Sequence, residues 1–211
     1  TELTAEEVKE KLAQKTEDYV LNLIRMDGTS ESISAGQISL VFKDDKEVDQ
    51  LLEDQDPWLW IVEAFTDKEH ELQVSVSYDE AALEAVIDSL QCMQEGNYTP
   101  PQDAAVGDTE NGYTIVPEVE GNQLDRAKVL EAVKAAIDSG QTELNLSDSG
   151  CYLKPSVYQD DEALNARVNQ LNQLVSANLT MDFGSGRTET VNGALLKTWV
   201  TQDENGNDII D

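Results

Sequence analysis

Leu21-Asn22-Leu23-Ile24-Arg25-Met26-Asp27-Gly28-Thr29-Ser30-Glu31-Ser32-Ile33 sets apolar and polar residues in alternation on either side of an Asp-Gly pair. That pair tolerates the positive φ of a tight turn, so the phrase reads as a hairpin, with strands from Tyr19 to Ile24 and from Ser32 to Val41. The phrase returns near the other end of the chain, from Leu179-Thr180-Met181 through Gly186-Arg187-Thr188-Glu189-Thr190-Val191. Each position there lies 158 places after its counterpart (179 against 21, 191 against 33). An amphipathic helix precedes each copy, over about Thr4–Glu17 and Asp161–Ser176. The order of elements recurs along with the letters, which is the mark of a repeated unit: one whole module and the opening of a second.

Working outward, Thr4 and Glu7 form a capping box ahead of the first helix. Lys46–Gln55 predicts a short helix, and Asp56-Pro57 opens another that carries Trp58, Trp60, Ile61 and Phe65. Leu72–Ser77 alternates as a half-buried strand, and Asp79 caps a helix over Glu80–Gln91 whose Leu83, Val86, Ile87 and Leu90 share a face. Glu95–Gln102, with Pro100-Pro101, is the best linker signal. Ala104–Val106 and Tyr113–Val119 flank a second hairpin signal at Asn111-Gly112. Asp125 caps the strongest helix, which stops at Gly140. A short strand follows at Leu144–Leu146, then a helix from Asp160 or Asp161, the repeated hairpin, and one more hairpin around Asn205-Gly206. Helices and hairpins are intermingled and no Gly-rich βαβ fingerprint is present, so the expected class is α+β, with helices packed on antiparallel sheets. The expected division is 1–100 as the first module part, 101–176 as a core segment and 177–211 as the opening of a truncated second repeat.

Charge narrows the partners. Forty-three acids against fourteen Lys and Arg leave a formal net charge of −29. Phosphate backbones and anionic lipid surfaces would be repelled, which argues against nucleic acid and against membrane-surface binding. The longest apolar stretch, Trp58–Phe65, is far short of the roughly 20 residues of a membrane span and contains Glu63.

Signs of catalysis are sparse. His70 is the only histidine and stands in a charged Lys-Glu-His-Glu run. Ser185 lies in Gly-Ser-Gly, but Phe183 occupies the position where a nucleophile elbow needs glycine. Asp203, Asn205, Asn207 and Asp208 resemble part of a calcium loop, yet Gly206 comes too early in it, and a hairpin turn is the better reading. The expectation is a chain with no catalytic residue, no metal site and no cofactor. Aromatic side chains that can stack on the apolar face of a sugar are the remaining candidates for a ligand contact: Trp58, Trp60 and Tyr152.

From Pro101-Gln-Asp-Ala104, through Tyr113-Thr-Ile-Val-Pro-Glu-Val-Glu-Gly-Asn-Gln-Leu-Asp125, to Cys151-Tyr-Leu-Lys-Pro155, the order and spacing resemble a peptidoglycan-binding module. That module precedes the catalytic domain in L,D-transpeptidases of Gram-positive bacteria and accompanies VanW-type proteins. Ser75–Leu90 and the hairpin from Leu179 to Val200 are similar too, so the resemblance covers nearly the whole chain. It implies an exported, extracellular cell-wall protein, anchored through a segment upstream of Thr1, with peptidoglycan and a downstream catalytic domain of the same polypeptide as partners. The Ser-His-Gly-Cys type motif of the transpeptidase is missing from the sequence. The chain thus reads as a non-catalytic wall-binding or positioning module; the alternative is an extracellular spacer or protein-interaction module without glycan affinity. In an oxidising exterior, Cys92 and Cys151 would be expected to form a disulfide if the helix from Asp125 brings their segments together. It would close a loop of about 60 residues, worth about 4 kcal/mol in the chain-entropy model.

Overall fold

The computed structural model describes residues 5–43 and 76–211. In chain order its first elements are helix α1 (Ala5–Glu17), strands β1 (Val20–Ile24), β2 (Ser30–Ser34), β3 (Val41–Phe42) and β4 (Val76–Ser77), and helix α2 (Glu80–Ser89). Strands β5 (Ala105–Asp108) and β6 (Tyr113–Val116), helix α3 (Arg126–Asp138), strand β7 (Glu143–Asn145) and helix α4 (Glu162–Leu174) follow. Strands β8 (Leu179–Asp182) and β9 (Thr188–Val191), helix α5 (Gly193–Lys197) and strands β10 (Val200–Gln202) and β11 (Asp208–Ile210) complete the series. The class is α+β, as expected. Two compact units emerge: one from residues up to Thr99 together with Asn122–Leu153, the other from Pro100–Gly121 together with Lys154–Asp211.

The first unit is built around a mixed sheet of order β2-β1-β7. β1 and β2 form the hairpin read from the sequence, with Leu21 opposite Ile33 and Leu23 opposite Glu31, and Gly28 supplies the left-handed turn residue at φ 79°. The other edge of β1 takes β7 in parallel, Leu23 opposite Leu144, with Asn22 N–H donating to Thr142 O at 2.9 Å and Leu146 N–H to Ile24 O at 3.0 Å. Pleating sends Leu21 and Leu23 to one face, where both are fully buried. Ile33, Leu83 and Ile87 of α2, Val129, Val133 and Ile137 of α3, and Leu144 and Leu146 join them in one core. Each such side chain contributes about 1.5–3 kcal/mol of burial, which makes this face the main source of the unit's stability.

Helix starts follow the caps read from the sequence. The Asp79 carboxylate accepts Ala82 N–H at 3.1 Å, and Asp125 accepts Ala127 N–H at 3.0 Å. One strand is shorter than expected. The extended run from Ser32 stops at Ser34, where Ser34 N–H donates to Gln37 Oε1 at 2.8 Å and a 3-10 turn, Ala35–Ile38, begins. The turn buries Ala35 and Ile38 and leaves Ser39 at φ 52°, and only Val41–Phe42 resume as β3. The helices expected at Lys46–Gln55 and from Pro57, and most of the strand expected at Leu72–Ser77, lie outside the described residues.

In the second unit, β5 and β6 pair antiparallel, Asp108 opposite Tyr113, and α4 packs against them through Val168 and Leu171. Asp161 caps α4 through Leu164 N–H at 2.8 Å. Arg167 on α4 grips Asp208 of β11 with two hydrogen bonds, 2.9 and 3.2 Å. The hairpins β8–β9 and β10–β11 are separate two-stranded ladders, and Leu196 of α5 is buried. Gly193 permits a close backbone approach: a Cβ there would collide with Asn111 O.

Candidate functional site

The sequence nominated two tryptophans, a tyrosine and two thiols. Trp58 and Trp60 lie outside the described residues, as does His70. Tyr152 is in the core of the first unit, 9 % exposed, and its hydroxyl accepts Met26 N–H at 3.0 Å. A ring buried in the core and tied at its hydroxyl offers no open face for a sugar. Its role is to lock the β1–β2 turn to the segment after β7, as an amphipathic side chain does when its polar tip finds a partner.

The disulfide expected between Cys92 and Cys151 is not formed; both are free, buried thiols. Cys92 occupies a 3-10 turn, Gln91–Met93, that is organised by Glu31 of β2. The Glu31 carboxylate accepts Gln91 N–H at 2.6 Å and Cys92 N–H at 2.9 Å, and hydrogen-bonds the Cys92 thiol. Cys151 instead directs its sulfur to Ser149 O at 3.9 Å. Each sulfur therefore has a local partner. Burial, with the Glu31 carboxylate beside it, pushes the Cys92 thiol up to about 12, and burial raises Cys151 as well. This is the reverse of nucleophilic activation, which needs a nearby positive charge or a helix N-terminus to favour thiolate. Glu31 was missed in the sequence because its partners lie about 60 residues away and nothing local marks them.

A polar seam on the surface of the same unit joins α2 to α3. Arg126 takes Asp88 with two hydrogen bonds, 2.5 and 2.9 Å, and Glu84 with a third at 3.1 Å; two turns further along α3, Lys134 meets Glu80 at 2.8 Å. The pairing of 126 with 88 and of 134 with 80 shows that the helices run antiparallel. Exposed pairs of this kind contribute only about 0.2–1 kcal/mol each, so the seam sets alignment more than stability.

In the second unit the exposed large apolar side chains among the described residues are Val116 and Val119, Leu179 and Met181 of β8, Phe183 in the following turn, Leu195, Trp199 and Ile209. Tyr113 of β6 is half-buried with the Lys197 ammonium 5.2 Å from its ring centroid, and Lys197 also reaches Asp108 at 2.8 Å. Asp203 at the β10–β11 turn accepts Asn205 N–H at 2.9 Å, Asn207 N–H at 2.8 Å and Asn207 Nδ2 at 2.9 Å, so the residues that resembled a calcium loop build a hairpin turn. Among the described residues no three His, Cys, Asp or Glu side chains converge as metal ligands, and no helix is long and apolar enough to cross a membrane.

Among the described residues of this α+β fold the two thiols are buried, Tyr152 packs in a core and the Glu31 carboxylate holds a turn. Residues 33–145, more than half of the chain, match the family described as "Putative peptidoglycan binding domain", and the chain belongs to that family. The resemblance carried by Pro101–Pro155 is thereby borne out, and the family makes this a cell-wall binding module. No curated protein and no solved structure matches the chain.

Proposed function

We propose that this chain is the wall-binding and positioning part of an exported L,D-transpeptidase-type protein, holding a catalytic domain of the same polypeptide beside its peptidoglycan substrate outside the cell. The single observation that carries this reading is the family match over residues 33–145. Both thiols are buried with raised pKa values, so neither is activated as a nucleophile. The contact residues we propose are Trp58 and Trp60, whose ring faces suit the apolar side of a sugar. Affinity is expected to be weak, because a net charge of −29 opposes the anionic polymers of a wall and leaves a few stacking and amide contacts to offset the cost of association. The same charge favours a second reading, a spacer or protein-interaction module with no glycan affinity.

Sedimentation with purified peptidoglycan sacculi, at low and high salt and with and without calcium, separates the two. Retention lost on replacing Trp58 and Trp60 with Ala supports wall binding through those rings. Retention that survives both changes moves the contact elsewhere, and no retention under any condition leaves the spacer. Release of muropeptide fragments during incubation would overturn the non-catalytic assignment.

A further inference from the structure

The β10–β11 ribbon has two unlike faces. Its register sets Val200 opposite Ile210, Thr201 opposite Ile209 and Gln202 opposite Asp208, and one rung further Asp211 N–H donates to Trp199 O at 3.0 Å. Alternation then puts Val200, Asp208 and Ile210 on the side of α4, where Arg167 holds the Asp208 carboxylate and only 9 % of that side chain stays exposed. Trp199, Thr201, Ile209 and Asp211 stand on the other side. All four are exposed, the indole by 40 % and Ile209 by 37 %.

Charge limits what this outer face can take. Residues 198–211 contain four acids, Asp203, Glu204, Asp208 and Asp211, and no Lys or Arg. Asp203 is spent on the hairpin turn and Asp208 on Arg167, which leaves the Asp211 carboxylate across the ladder from Trp199. Such a face repels phosphate and carboxylate groups, while the Thr201 hydroxyl and the Asp211 carboxylate can accept hydrogen bonds from neutral donors.

We infer that the outer face of β10–β11 is a contact for an uncharged N-acetylhexosamine glycan, with the Trp199 ring stacked on the C–H face of one sugar and Thr201 and Asp211 taking hydroxyls at its rim. The choice of glycan rests on the wall-binding reading above, and the face adds to that reading a contact away from Trp58 and Trp60. A pyranose uses all four side chains, because its C–H face covers the indole and Ile209 while its rim meets the polar pair. An alkylammonium would use the ring and the carboxylate and leave Thr201 and Ile209 idle. A second copy of the chain would bring its own charge of −29 against an acidic face.

Titration of the unmodified chain with the N-acetylglucosamine tetramer, followed by the Trp199 indole N–H resonance, tests the face without relying on any variant to fold. That resonance, assigned through Trp199→Phe, should shift and saturate at about millimolar tetramer. Trp199→Ala should lower retention on purified sacculi about tenfold and leave the unfolding midpoint unchanged, since the ring faces solvent. Thr201→Val should weaken the tetramer about threefold with the ring in place. No indole shift with the tetramer overturns the inference: if sacculi are still retained, the wall-binding reading stands with its contact elsewhere, and if they are not, both fall. An indole shift without retention of the unmodified chain on sacculi keeps the face as a glycan contact and removes the wall-binding reading. Retention that Trp199→Ala leaves untouched overturns the inference. So does an indole shift with lysine amide and none with the tetramer, which assigns the face to an ammonium ligand, or a dimer in sedimentation equilibrium that Trp199→Ala disperses, which assigns it to a second copy.

Discussion

Asn172 on α4 pairs with Tyr113 of β6 as a neighbouring strand would: its Oδ1 accepts Tyr113 N–H at 2.8 Å and its Nδ2 donates to Tyr113 O at 3.0 Å. The same Oδ1 would sit 2.6 Å from a Cβ at position 112, which explains glycine there. One side chain thus ties the β5–β6 hairpin to α4. Asn172→Ala leaves both backbone groups without that partner and should cost about 1–3 kcal/mol in urea unfolding. Asn172→Asp keeps the acceptor, loses the donor and sets a carboxylate against Tyr113 O. It should be no better than the alanine variant at neutral pH, and a wild-type midpoint for either variant would count against the bracket.

Glu31 gives the first unit an acid dependence. Burial raises its pKa, but the Cys92 amide, the Cys92 thiol, the Gln91 amide and the Arg25 charge outweigh it, and the net shift is downward. A carboxylate whose folded pKa lies below its unfolded value contributes stability that is present above the unfolded pKa and lost as pH falls through the folded one. Urea midpoints measured from neutral pH down to about pH 3 should therefore fall less steeply for Glu31→Gln than for the unmodified chain. Parallel curves would remove Glu31 from the acid transition.

Both thiols should be silent to Ellman's reagent in the native protein and react as two per chain in denaturant without reductant, because both are free and buried. Fewer than two after denaturation would mean a bridge. Burial also predicts slow alkylation at neutral pH, since raised pKa values leave little thiolate.

Leu23→Ala and Met181→Ala change matching positions of the repeated phrase in opposite settings. The first opens a cavity at a fully buried site and should cost about 2–5 kcal/mol. The second trims an exposed side chain in the 211-residue chain and should stay within about 0.5 kcal/mol. Similar losses at both sites would show that the β8 face is covered in solution.

What was legible in the sequence was local. Asp79, Asp125 and Asp161 cap helices through amides two to three residues ahead, and Asp27-Gly28 and Asn111-Gly112 turn hairpins between adjacent strands, so a short window contains every group involved. The order of motifs from Pro101 to Pro155 was likewise enough to point to the family.

Pairings across long stretches of chain were decided elsewhere. β7 joins β1 in parallel, Glu31 captures the Cys92 turn, and the Tyr152 hydroxyl finds Met26 N–H, each across more than 60 residues and each dependent on helices α2 and α3 filling the space between. For the same reason Tyr152 read as a ring free for a sugar and the two cysteines as a bridge: aromatic and thiol groups serve equally well in a core or at a surface. Leu21 and Leu179 make the point within one chain. The same letter in the same register is sealed in one copy and open in the other, because burial belongs to what packs on a strand and not to the strand itself.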